Sequence, residues 1–393
     1  MTYLLGALAF VLALLLTVVL HEAGHLLTAK RFGMKATQFF VGFGPTLWSR
    51  RRGETEYGVK GIPLGGFVKI VGYTPLEEID PADESRAFYR QPAIRRAIVI
   101  VAGVAVNIVL AFLLLVVLAA AVGLPAAGDA TTVVRRVSPC VPVSAGTCTD
   151  RDPVSPASAA GLRPRDRVVA FAGTPVRDWN GLAALIQRTR PGTTVPVVVE
   201  RNGARRTLPV RIGRLDGHGY LGVEPVPRMR TLGPVAAMRF AGRFTGQMAV
   251  AIGGIVVDIP KAVPKLFSRE RASTPGGQAG SVVGGAQASG QVFSSNDTWR
   301  AKIGTFLLLV SSLNLFVGLL NIIPLLPLDG GHLAVVCYER IKAWIFRIRG
   351  RTDPGPADLT KLMPVTYAFV VLLVGLGVLL ILADLINPLK LPQ

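Results

Sequence analysis

Residues 3–20 (YLLGALAFVLALLLTVVL) run for eighteen positions without a charge. Nothing else constrains the fold as much, because a helix of about 20 apolar residues, rising 1.5 Å at each, crosses the hydrocarbon core of a bilayer. Three further runs of this kind follow, at about 97–124, 303–328 and 363–386. Half of the 393 residues are hydrophobic and 17% are charged, against roughly 25% charged in a soluble domain. A soluble single-domain enzyme is excluded, and so is a disordered or fibrous chain. The pattern predicts a polytopic α-helical membrane protein with four transmembrane helices. The alternative for the first run is a cleaved signal peptide. That needs a positive leading segment and a small-residue cleavage site, whereas no charge precedes the run and HEAGH follows it.

Lys and Arg outnumber Asp and Glu by 43 to 24, a net charge of +19. The basic residues are mostly arginines scattered along loops, with no basic helix and no interleaved aromatics. Membrane lipid is therefore the expected partner, and nucleic acid is not. Short basic flanks set orientation through the positive-inside rule. Lys30, Arg31, Lys35 and Arg50–Arg52 follow the first run, and Arg95 and Arg96 precede the second. Arg340, Lys342, Arg347, Arg349, Arg351 and Lys361 lie between the third and fourth. These segments are expected in the cytoplasm, with both termini and residues 125–300 exoplasmic. Arg300 and Lys302 oppose that assignment and are outvoted.

Residues 37–71 hold short β-rich pieces broken by Gly, Pro and charge, which read as a membrane-associated β-hairpin or a soluble cytoplasmic one. Residues 155–187 place a small-residue helix turn, a charged turn, a strand at 167–171, a Gly turn and a helix from Trp179. That order resembles a PDZ domain of the circularly permuted kind found in bacterial envelope proteases. A hairpin turned by Asn202–Gly203 continues it, giving one exoplasmic PDZ-like α+β domain. A helix on the outer membrane surface is expected at 232–267, and a flexible loop at 273–290. Of three cysteines, Cys140 and Cys148 fall in the oxidising compartment and are expected to pair, while Cys337 stays reduced.

The chemistry is concentrated in His21-Glu22-Ala23-Gly24-His25. Positions i and i+4 share a helix face, so His21 and His25 can chelate one Zn2+ with Glu22 beside it as general base. Ionisable groups at the end of an apolar helix are costly and functional by default. The candidate third ligand is Asp329, which closes Asn321-Ile-Ile-Pro-Leu-Leu-Pro-Leu-Asp329-Gly-Gly-His332. If only the second span intervenes, the first and third spans run in the same direction and end at the same leaflet. His332 is a rival ligand, and His218, in an Asp-Gly-His-Gly turn, reads as inert.

HExxH in the first span, a PDZ insert between spans two and three, and LDG in the third resemble the site-2 proteases, zinc intramembrane metalloproteases. The match is closest to their regulator-of-sigma-E type, in a composition that looks actinobacterial. The resemblance covers nearly the whole chain. It implies His21, His25 and Asp329 as zinc ligands, Glu22 as catalytic base, and Asn321 as a contact to substrate or oxyanion. It also implies a membrane-reentrant hairpin at 37–71 that holds extended substrate. One departure is local: Pro324 and Pro327 stand three apart where the family has two, which puts the loop shape in doubt but not the ligand. The expected division is the first span with HExxH at 1–36, hairpin and cytoplasmic segment at 37–94, and second span at 95–124. The PDZ-like domain follows at 125–228, surface helix and flexible loop at 229–300, and the third span with its LDG loop at 301–335. A cytoplasmic loop at 336–361 and the fourth span at 362–393 complete it. The implied substrates are single-pass membrane proteins, such as anti-sigma factors already trimmed outside, in regulated intramembrane proteolysis at the bacterial inner (plasma) membrane. The active site is then near the cytoplasmic leaflet. A PDZ scaffold without catalysis is disfavoured because ligands and base are all present. A metal transporter is disfavoured because the polar groups lie near one leaflet rather than at the midplane.

Overall fold

The computed structural model describes residues 1–73, 78–141, 148, 152–267, 271, 280–352, 355, 357 and 359–389. The first apolar run folds as helix α1 (Thr2–Arg31), whose last turn carries Lys30 and Arg31 against the negative end of the helix dipole. Gly33 follows with φ 76°, a left-handed conformation that ends the helix. Strands β1 (Ala36–Arg52) and β2 (Thr55–Ile70) then pair antiparallel. Both strands bend, so the hairpin is broader than two simple strands. Phe39 lies opposite Tyr57 on one side and Val68 on the other, and the outer part of β1 returns to pair Arg50 with Tyr57. The stretch 66–70 therefore forms one edge of the sheet.

After two short 3-10 turns come helix α2 (Ala93–Val117) and strand β3 (Leu124–Val137). Next in the chain are α3 (Pro156–Ala159), β4 (Arg167–Phe171), β5 (Thr174–Pro175), α4 (Trp179–Arg188), β6 (Thr194–Arg201) and β7 (Ala204–Arg211). The short pair β8 (Gly213–Leu215) and β9 (His218–Tyr220) leads to β10 (Val223–Arg230). Helices α5 (Pro234–Leu266), α6 (Val282–Ser294), α7 (Trp299–Leu320), α8 (Asp329–Ile348) and α9 (Met363–Ile386) complete the chain. Among the described residues, four helical stretches are long and apolar enough to cross a membrane: Thr2–Arg31, Ala93–Val122, Trp299–Leu320 and Thr360–Ile386. The chain is a multi-pass membrane protein with a β domain.

Two compact units divide it, the first of Met1–Val117, Pro234–Ser294 and Thr305–Leu391, the second chiefly Leu118–Gly233. In the second, the sheet order is β10-β3-β4-β6-β7, with β5 beside β4. Val195, Val197 and Val199 alternate inward along β6 and meet Leu182 and Ile186, one turn apart on α4, in a single core. Asp178 caps α4 by accepting from Gly181 N at 2.8 Å. The β6–β7 turn has Asn202 at φ 52° and Gly203 at φ 79°, as the Asn-Gly pair requires. Cys140 and Cys148 form a disulfide with Cα atoms 5.8 Å apart, and Cys337 is free.

Two expected loops are corrected. Within 273–290, residues from Val282 onward are helical as α6, while 272–279 lie outside the described residues. The small residues that read as flexible instead allow close packing. A Cβ at Gly285 would sit 2.3 Å from the Phe10 ring, and one at Gly6 would sit 2.5 Å from Ser289 O. Ser289 Oγ donates to Gly6 O at 2.7 Å. The buried Asp384 carboxylate of α9 accepts from Ser281 N and Gly284 N at the start of α6 and pairs with the buried Arg271. The loop expected at 336–361 is helical as far as Ile348, since α8 buries Val336 on the core of α1 and α2. Arg96 of α2 pairs with its Glu339 at 2.7 Å.

Candidate metal centre

Three segments of the first unit build the site. HEAGH lies near the C-terminal end of α1, where His21 and His25 occupy one face and are both buried. Gly24 between them allows close approach to α2, because a Cβ there would stand 2.8 Å from Ala102 O. Asp329 is the first residue of α8, where a carboxylate favours the positive helix end. It is delivered by a tight turn over 321–328 that contains a cis Leu326–Pro327 bond and closes with Gly330 N donating to Asn321 O at 2.6 Å. Gly330 is required there, since a Cβ would fall 2.1 Å from Ile322 O.

Asp329 Oδ2 lies 3.2 Å from His21 Nε2 and 3.4 Å from His25 Nε2, and the two Nε2 atoms are 3.2 Å apart. Zinc–ligand bonds of about 2.0–2.1 Å in a tetrahedron would place donor atoms about 3.3 Å from one another. The spacing matches. His25 Nδ1 donates to Val99 O at 2.8 Å, which leaves its Nε2 as a bare lone pair. Asp329 Oδ2 is buried with no hydrogen-bond donor. Electron-rich atoms packed this closely and away from water repel one another unless a cation lies among them. The residues fit a metal ion, and among the described residues they form the cluster of His and Asp ligand atoms close enough together to hold one.

A profile of peptidase family M50 matches residues 9–351. The chain belongs to peptidase family M50. It is 38% identical over 411 residues to zinc metalloprotease Rip1 of Mycobacterium bovis, covering 100% of both chains. Rip1 of Mycobacterium tuberculosis matches to the same extent. Rip1 of Mycolicibacterium smegmatis is 36% identical over 418 residues, again with 100% of each chain covered.

The sequence-predicted residues of this M50 chain come together: His21, His25 and Asp329 converge, and Asn321 Nδ2 stands 3.4 Å from His21 Nε2. The half-buried Glu22 lies beside β2, where a Cβ on Gly66 would stand 3.7 Å from its Cγ. The edge of β2 therefore runs beside Glu22. The rival ligand His332 lies outside the cluster, with its ring packed against Tyr73 at 4.6 Å between centroids. His218 is exposed on β9.

Sequence reasoning missed the contribution of α2 to this centre. Residues 99, 103 and 107 lie on successive turns of one face. The Val99 carbonyl holds His25, and Gly103 leaves room for both rings, since a Cβ there would be 2.3 Å from His25 Nε2. Asn107, fully buried, has its amide 3.2 Å from His21 Nδ1 while its Oδ1 lacks a partner. Turning the amide over lets Oδ1 accept from His21 Nδ1–H, the outer hydrogen bond that a metal-ligating histidine ordinarily makes. A glycine and an asparagine in an apolar run carry no motif of their own, so only the i, i+4, i+8 spacing could have signalled them.

Proposed function

We propose that this membrane-embedded zinc metallopeptidase cleaves single-pass membrane proteins within or near their transmembrane segment, in regulated intramembrane proteolysis. Pre-trimmed anti-sigma factors are the substrate class that its sequence resemblance implies. One observation carries the reading: two imidazole nitrogens and a carboxylate oxygen converge at tetrahedral spacing beside Glu22, at the end of a helix long enough to span a bilayer. His21, His25 and Asp329 would hold the metal. Zinc held by this set would supply Lewis acidity toward the scissile carbonyl and the attacking water near neutral pH. The Glu22 carboxylate takes the proton of the attacking water and delivers it to the leaving amide nitrogen. Asn321 Nδ2 donates to the carbonyl oxygen as negative charge develops there.

A transmembrane helix hides its carbonyls in its own hydrogen bonds, so the substrate must unwind locally. An unwound stretch can align along the 66–70 edge of β2 through main-chain hydrogen bonds, which tolerates varied side chains. The basic flanks argue for both termini exoplasmic and the metal site near the cytoplasmic leaflet, and the sequence resemblance implies the bacterial plasma membrane. The purified protein, incubated with a tagged single-pass substrate, should cut it, stop on zinc chelation and recover on zinc addition. Glu22→Gln should retain zinc and leave the substrate intact. Cleavage that survives both treatments overturns the proposal.

A further inference from the structure

Helix α8 is too polar to be one of the candidate spans, yet it exposes a row of large apolar side chains. Ile341, Trp344 and Ile348 are 57%, 62% and 65% exposed and follow the exposed Cys337 at i+4, i+7 and i+11. At 100° per residue these positions form one stripe along the helix. Tyr338, 57% exposed, borders it on one side, and the exposed Arg340 and Arg347 border it on the other. The two acids of α8 both face inward, Glu339 to Arg96 of α2 and Asp329 to the histidines. The outward face is thus apolar and positive, without a carboxylate of its own helix.

We propose that the outward face of α8 docks on anionic phospholipid, with the 337/341/344/348 stripe among the acyl chains and Arg340 and Arg347 on the headgroups. Placement supports this occupant. The span α7 ends at Leu320, and the Gly330–Asn321 hydrogen bond starts α8 beside that end; Val336 then packs with Leu26 and Ala29 of α1 and Val99 and Ile100 of α2, and Glu339 pairs with Arg96, so α8 lies along the basic ends of two spans. Trp and Tyr favour the membrane interface, and arginines beside an apolar face gain from anionic headgroups. A soluble protein partner would give no reason for the stripe to begin at the exit of a span. Because Asp329 is the first residue of α8, the same lipid surface steadies the third member of the metal-binding set. The inference rests on α7 crossing a bilayer and does not depend on catalysis, so the zinc-peptidase reading can fail without touching it.

Cys337, the one cysteine outside the disulfide, allows the test on the wild-type chain. A nitroxide on Cys337 is measured by power-saturation EPR in phosphatidylcholine liposomes, with and without phosphatidylglycerol. Severalfold greater accessibility to oxygen than to a water-soluble nickel chelate is expected, and phosphatidylglycerol should shift it further toward oxygen. Arg340→Glu combined with Arg347→Glu should abolish the phosphatidylglycerol shift. Dominant nickel access places the stripe in water and overturns the proposal. Low access to both reagents means a protein neighbour, such as a second copy, covers it, and also overturns it. Indifference of the wild-type label to phosphatidylglycerol removes the anionic headgroup as the partner.

Discussion

Asp329 lies against both histidines and Asn107 against His21 alone, and metal measurements separate their proposed roles. Asp329→Ala removes a donor atom, so zinc content should fall sharply, as it should in His21→Ala and His25→Ala. Full occupancy in Asp329→Ala would reject it as a ligand and return His332 as the candidate. Asn107→Leu keeps the volume but deprives His21 Nδ1 of its acceptor, and losing such an outer contact typically weakens metal binding by about 10–100-fold. Asn107→Asp keeps the acceptor and should bind zinc at least as tightly as wild type. Chelator competition on the intact protein measures both. Wild-type affinity in the Leu variant, or a tenfold loss in the Asp variant, refutes the orienting role. HEAGH was legible because its chemistry lies within five consecutive residues. Asn107 was not, because an asparagine in a span reads as a tolerated polar residue until a histidine is placed against it.

Packing between elements explains where the loop expectations failed. Gly6 of α1 meets the backbone of α6, so Gly6→Ala sets two effects against each other. Alanine gains about 1 kcal/mol of helix propensity, while its Cβ would be 2.5 Å from Ser289 O, and overpacking of this kind costs roughly 1–3 kcal/mol. The clash involves backbone and cannot be relieved by a rotamer, so the unfolding midpoint in detergent should drop; a rise would show that α6 is not held there. The turn between β1 and β2 offers a pH test. Arg86 donates to both oxygens of Glu54 at 2.7 and 2.8 Å and holds its carboxyl below the usual value of 4.5. A depressed folded-state pKa makes this stabilisation fully present above 4.5 and lost as pH falls through the folded value. Both side chains are partly exposed, so about 1 kcal/mol is the ceiling. Glu54→Gln should lower stability slightly at pH 7 and converge with wild type in acid. An equal gap at both pH values would exclude the ion pair as its cause.

At the scale of the whole molecule, a β domain of more than a hundred residues is inserted between the second and third spans. In the proposed topology this domain is external, and the expected role of its bulk is to exclude substrates with large external parts and pass trimmed stubs, without recognising any peptide. Deleting 128–225 behind a short linker should then allow cleavage of untrimmed substrate. A stably expressed, zinc-loaded deletion that fails on trimmed substrate would make the domain an activator instead. The sequence by itself determined the membrane class, the spans and the zinc cofactor, because bilayer thickness and chelation each impose a local signature of length or spacing. It also marked the inserted domain's strands, its Asn-Gly turn and its cysteine pair, which depend on neighbours close in the chain. Only the tertiary structure decided that α2 backs the metal centre, that 66–70 is the sheet edge beside Glu22, and that α6 and α8 are helices. Those features depend on surfaces supplied by residues far away in the chain, and such surfaces decide whether small or mixed segments become helix or loop.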